Sequence, residues 1–176
     1  MICARWASRV SLFAIRRGTR FKFLESVILW AHAAAGAVWI GACACFAIAG
    51  LALGAGSAEQ RNFVANAAPK IDMLGLVAAA VLLVTGLISL IEVGVLRGYA
   101  FSTTFMTVLA IKIALFIAML AVMTWSMRVG AVVRAVIARG RTDAMAGAMT
   151  RMVKAHVAIV AMGGIALILG AWLLGS

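Results

Sequence analysis

Four residues whose types could do chemistry stand out in an otherwise oily chain: His32, Glu92, Lys112 and His156. His32 sits in "ILWAHAAAGAVWIGACACF", Glu92 in "LISLIEVGVL" and Lys112 in "VLAIKIALF". An ionisable group inside a membrane span is expensive and marks a functional site by default. Imidazole ligates metals and haem iron, while a lysine–carboxylate pair sets local charge and carries protons. Thr85, Ser89 and Glu92 are spaced i, i+4, i+7, which places them on one helical face. A second stripe, Met145, Met149, Met152 and His156, follows i, i+4, i+7, i+11. Thioether and imidazole suit Cu(I), and the same stripe is also what an adaptable packing face looks like. Cys43 and Cys45 are two apart on one helix and point in different directions, so they read as small buried residues.

The elements that must position these groups are membrane helices. The chain has 176 residues, is 66% hydrophobic and only 12% charged, with mean hydropathy +1.14. Soluble domains are nearer half apolar and a quarter charged, so lipid must be the solvent for most of this chain. Four runs reach the roughly 20 apolar residues needed to cross the hydrocarbon: 27–54, 71–96, 103–129 and 152–175. Only helices satisfy the backbone in such runs, and no period-two alternation points to a barrel. The expectation is an all-α integral membrane protein, a four-transmembrane-helix bundle over 25–176. A basic N-terminal segment, 1–24, precedes it. Pro69 is expected at the first turn of the second helix, where its missing N–H is harmless. "GLALG" offers small residues for close helix approach.

The net charge of +11 does not indicate nucleic acid, because the cations lie between apolar runs rather than on one soluble face. They suit anionic lipid head groups. The N-terminal stretch "MICARWASRVSLFAIRRGTRFKF" holds no acid and sets Arg5, Arg9, Arg16 and Arg20 within about 60° on a helical wheel. It fits an interfacial amphipathic helix, an organellar transit segment or an extension absent from the mature protein. Call the N-terminal side of the bundle side A and the opposite side side B. With the N-terminal stretch counted, the cations divide almost evenly between the sides. Without it, only Arg97 remains on side A, against Arg61, Lys70, Arg128, Arg134, Arg139, Arg141, Arg151 and Lys154 on side B. The positive-inside rule then makes side B cytoplasmic and the start of the bundle periplasmic, in a bacterial inner membrane.

Depth follows from about 1.5 Å per helical residue. From side A, His32 lies about 8 Å in, Glu92 about 6, Ser89 about 10, Lys112 about 12–14 and Thr85 about 16 Å. Three helices thus bring polar groups to one region. His156 enters from side B and is separated from His32 by roughly 17 Å along the normal of a ~30 Å core. Two axial ligands of one iron are only about 4 Å apart, so the histidines cannot share a metal.

"HAAAGAVWIG" (His32 to Gly41), the Thr85–Gly86 pair and "LAIKIALFIAML" around Lys112 resemble the copper-resistance D membrane family. More distantly, the same His-then-Trp helix and Lys-bearing third helix resemble the haem-dependent membrane protoporphyrinogen oxidases. The likeness covers about Val27 to Met127. It implies a site formed by His32 and Lys112. In the first family that site would handle copper, in transport or tolerance; in the second it would hold haem b for redox chemistry. After the first helix the oxidase family carries an aromatic, Pro-Arg-containing stretch, where this chain has "AIAGLALGAGSAEQR". The cofactor expected is therefore copper or haem b, with His32 as metal ligand and Lys112, Glu92, Ser89 and Thr85 around it. Met145, Met149, Met152 and His156 form a second candidate copper site. A structural subunit of a membrane complex, or a homo-oligomer, is the third reading, with Glu92 and Lys112 only pairing. No nucleophile–base set, phosphate loop or zinc signature is present.

Overall fold

A computed structural model describes the backbone of residues 3–54, 57–96, 100–137, 139 and 146–175, and most side chains from 23 onward. Four helices follow one another: α1 (Cys3–Ala52), α2 (Ala58–Leu96), α3 (Thr103–Ile137) and α4 (Ala146–Gly175). All four are long and apolar enough to cross a membrane, and the chain is an integral multi-pass membrane protein. The arginine side chains of the N-terminal stretch, and Met145, lie outside the described residues.

Neighbouring helices pack in a ring, α1 on α2, α2 on α3, α3 on α4 and α4 on α1. Lipid gives no hydrophobic drive between helices, so close approach must come from small residues. Gly50 and Gly163 supply it between α1 and α4: a Cβ at either would stand 2.6 Å from Val153 or Ile40 respectively. Gly54 ends α1 with φ +77°, the left-handed cap that favours glycine. Ser57 then caps α2: its Oγ accepts from the Gln60 N–H at 3.0 Å and donates to the Leu53 carbonyl at 2.7 Å. The Gln60 side chain donates to the Gly50 carbonyl at 2.7 Å and ties the turn together.

The helices outrun the expected spans. α2 begins at Ala58, not near Ile71, so Pro69 lies inside the helix rather than in its first turn. The Ser57 cap nucleates the helix early, and Pro69 is exposed, where the carbonyl it leaves unbonded can find water. The 39 residues of α2 extend about 58 Å. Exposed large apolar residues mark only Met73 to Val95 as its lipid-facing length. The preceding turns, with Glu59, Asn62, Asn66 and Lys70 exposed, project beyond the hydrocarbon at side B. α3 and α4 likewise extend past their expected ends, to Ile137 and from Ala146.

Two apolar clusters fill the bundle. The mid-membrane one comprises Trp39, Cys43, Ala78, Ala79, Met119, Met123 and Ile159. The other, toward side B, comprises Phe46, Val64, Ala68, Val133, Met149, Met152 and Val153. Between them, α2, α3 and α4 hold the buried polar side chains Asp72, Ser126 and His156.

Candidate functional site

On side A, the Thr85 hydroxyl has one proton, and it goes to the Val81 carbonyl at 2.6 Å. Its oxygen is left to accept from His32 Nδ1 at 2.9 Å. The Leu82 carbonyl, an acceptor, also reaches the ring. His32 is therefore the Nδ1–H tautomer, and its Nε2 keeps a lone pair with no hydrogen-bond partner among the described residues. Gly86 leaves room for the ring, since a Cβ there would lie 3.3 Å from His32 Cε1. Both members of the Thr85–Gly86 pair thus serve His32, one by bonding it and one by making space.

Lys112 is half-buried and turns into the bundle, its Nζ 3.1 Å from where a Gly170 Cβ would stand on α4. It is near enough to His32 to act on it electrostatically. Glu92 does not pair with it: among the described residues the one ion pair within 4 Å is His156–Asp72. Glu92 and Ser89 are half-buried and make no bond to His32. Of the side A residues named from the sequence, the fold joins His32, Thr85 and Lys112, and leaves Ser89 and Glu92 at the margin.

His156 belongs to another layer. Its Nδ1–H donates to the Met152 carbonyl at 2.9 Å, its ring lies 4.3 Å from that of Phe46, and its Nε2 faces Asp72 Oδ1 at 3.9 Å. Met149 and Met152 are fully buried in the apolar side B cluster. Asp72 and Thr85 are both on α2, 13 residues apart, or about 20 Å. The two histidines therefore stand at separate levels, as the depth count requires.

Sequence reasoning missed the partners of His156. Asp72 is 3% exposed and His156 1%. Beside Asp72 stand Arg134 of α3 and Cys43 of α1, both close enough to interact electrostatically. Among the described residues, four buried side-chain polar atoms have no hydrogen-bond partner: Trp39 Nε1, Asp72 Oδ1, Ser126 Oγ and Arg134 Nη1. Each such group costs about 1–3 kcal/mol if left dry. Asp72 escaped notice because Pro69 and Lys70 suggested a connection ending just before it. The expected spans begin at 71 and 152, so Asp72 falls at the edge of its span while His156 lies four residues inside, and depth alone does not pair them.

Among the described residues, no group of three His, Cys, Asp or Glu side chains could hold a metal ion. Compared with protein-family models, curated proteins and solved structures, the chain matches none of them.

Proposed function

We propose that this is a haem b-binding membrane redox protein, in which His32 would hold the haem iron and Lys112 would be the cation for a haem propionate. The observation that carries the reading is the hydrogen bond from His32 to Thr85, which leaves one imidazole nitrogen free near a lysine that has no ion-pair partner among the described residues. The donor set fits the group. Haem brings four nitrogens of its own, so one protein imidazole suffices, and its propionates suit an ammonium. When bound, haem would supply a one-electron redox centre. The residues of the chain would do the rest: Thr85 holds the tautomer and orientation of His32, Gly86 admits its ring, and Lys112 fixes negative charge.

Copper handling at the same site, of the copper-resistance D kind, is the second reading. The free His32 nitrogen supports it equally. A bare copper ion, however, needs several protein ligands, and the nearest charged group is a cation. A bacterial inner membrane with the His32 side periplasmic is the setting we infer, from the excess of cations on side B once the N-terminal stretch is left out of the count.

The test is an absorbance spectrum and metal analysis of the detergent-purified full chain. A Soret band that His32→Ala removes supports the haem reading. Stoichiometric copper with no Soret band, again lost in His32→Ala, transfers the site to copper. Neither metal nor band, with His32→Ala altering stability alone, leaves a structural subunit.

A further inference from the structure

The layer around Asp72 lies between the two apolar clusters. On α1 it is bordered by Trp39 and Cys43 of the mid-membrane cluster and by Phe46 of the other; on α2 it falls at Asp72, between Ala68 and Ala78. On α3 it falls at Ser126 and Gly130, between Met123 and Val133, and on α4 at His156, between Val153 and Ile159. Contacts tie these positions together. Trp39 Nε1 lies 3.1 Å, and Met123 Cε 2.7 Å, from where a Cβ on Gly75 would stand, one turn from Asp72. Ser126 is one turn from Met123 on the buried face of α3. Arg134 lies back over Gly130, its Nη1 3.3 Å from where that Cβ would be, and acts on Asp72.

The unpartnered atoms are chemically complementary. Trp39 Nε1–H and Arg134 Nη1–H can only donate. Asp72 Oδ1 accepts, as does His156 Nε2, whose other nitrogen already donates to Met152. Ser126 can do both. An anion would satisfy the donors and leave the acceptors Asp72 Oδ1 and His156 Nε2 unpaired. A metal cation would suit Asp72 and His156 and be repelled by Arg134. A small neutral molecule that donates and accepts satisfies all five, and water is that molecule. The 3.9 Å between His156 Nε2 and Asp72 Oδ1 is too long for a direct hydrogen bond and within the reach of one bridging water.

We propose that Trp39, Asp72, Ser126, Arg134 and His156 enclose internal water that passes a proton between the Asp72 carboxyl and the His156 ring. In the transfer the Asp72 O–H bond breaks and its proton joins the water. The water gives one of its own protons to His156 Nε2, leaving a carboxylate and an imidazolium with the water restored. The ionisable groups facing the layer are Cys43 from α1, Asp72 from α2, Arg134 from α3 and His156 from α4. The apolar clusters on either side keep the proton from exchanging freely with bulk water.

The test is infrared difference spectroscopy of the full chain in lipid nanodiscs across a pH titration, in ordinary and ¹⁸O-labelled water. The expected result is a carboxylic C=O band missing in Asp72→Asn, with an O–H band that shifts in labelled water. His156→Gln should alter both. Ser126→Ala and Trp39→Phe should change the water band and keep the carboxyl band. If Asp72→Asn does not fold, ¹³C-aspartate labelling of the wild type, with Asp143→Asn as control, assigns the carboxyl band instead. Absence of an ¹⁸O-sensitive band, or a water band untouched by Ser126→Ala and Trp39→Phe, overturns the proposal. So does a carboxyl band that ignores His156→Gln.

Discussion

The two polar layers of this bundle solve opposite problems. Near side A, His32 is half-buried, held by one hydrogen bond to Thr85, with a free nitrogen and a lysine nearby. Near side B, Asp72 and His156 are fully buried, with charge, donors and acceptors from all four helices. The first is open on one edge and chemically incomplete, which suits a ligand that brings its own coordination shell. The second is sealed between apolar clusters and internally complementary, which suits something the size of water. Two histidines with the same local sequence character therefore take different roles because of what the partner helices place beside them.

Substitutions can break that contrast, and the largest effect belongs to the sealed layer. Asp72→Ala removes the buried carboxyl that acts on Arg134 and faces His156, leaving the buried Arg134 Nη1 with no acidic group beside it, and is expected to destabilise the fold by about 3 kcal/mol. Thermal unfolding in a fixed detergent measures it. Gly163→Ala comes next. It forces a Cβ against Ile40 and should cost about 1–3 kcal/mol, while Gly164→Ala, which meets no atom within 4 Å, should be neutral or slightly stabilising. Parallel unfolding of the two variants isolates helix contact from helix propensity. Thr85→Val removes the acceptor that holds His32 and should weaken cofactor binding about tenfold, read by haem titration, with little change in fold. Smallest is Glu92→Gln, expected within about 0.5 kcal/mol of the wild type, because no partner is lost. A larger loss there would restore Glu92 to the His32 site.

Much of the bundle was legible because apolar length alone dictates membrane helices. The ends were less so. Pro69 suggested a helix start by its local rule, but the Ser57 cap and the water beyond the hydrocarbon let the helix run through it. The depth count set His32, about 8 Å in, nearest Glu92 and Ser89 and about 8 Å from Thr85; the structure bonds it to Thr85 instead, because the helices run past the span ends from which depth was counted. Glu92 and Lys112 could not be separated that way, since depth says nothing about rotation around a helix axis. Ser126 and Trp39 were invisible for a related reason. A serine or tryptophan in an apolar run is unremarkable until its neighbours are known to leave its polar atom unbonded.

The most direct measurement compares the absorbance spectra of the wild type, His32→Ala and His156→Gln, purified in the same way with haem supplied. The account predicts a Soret band in the wild type, its loss in His32→Ala and its retention in His156→Gln. A band that survives His32→Ala, or one that disappears with His156→Gln while the protein stays folded, would contradict it.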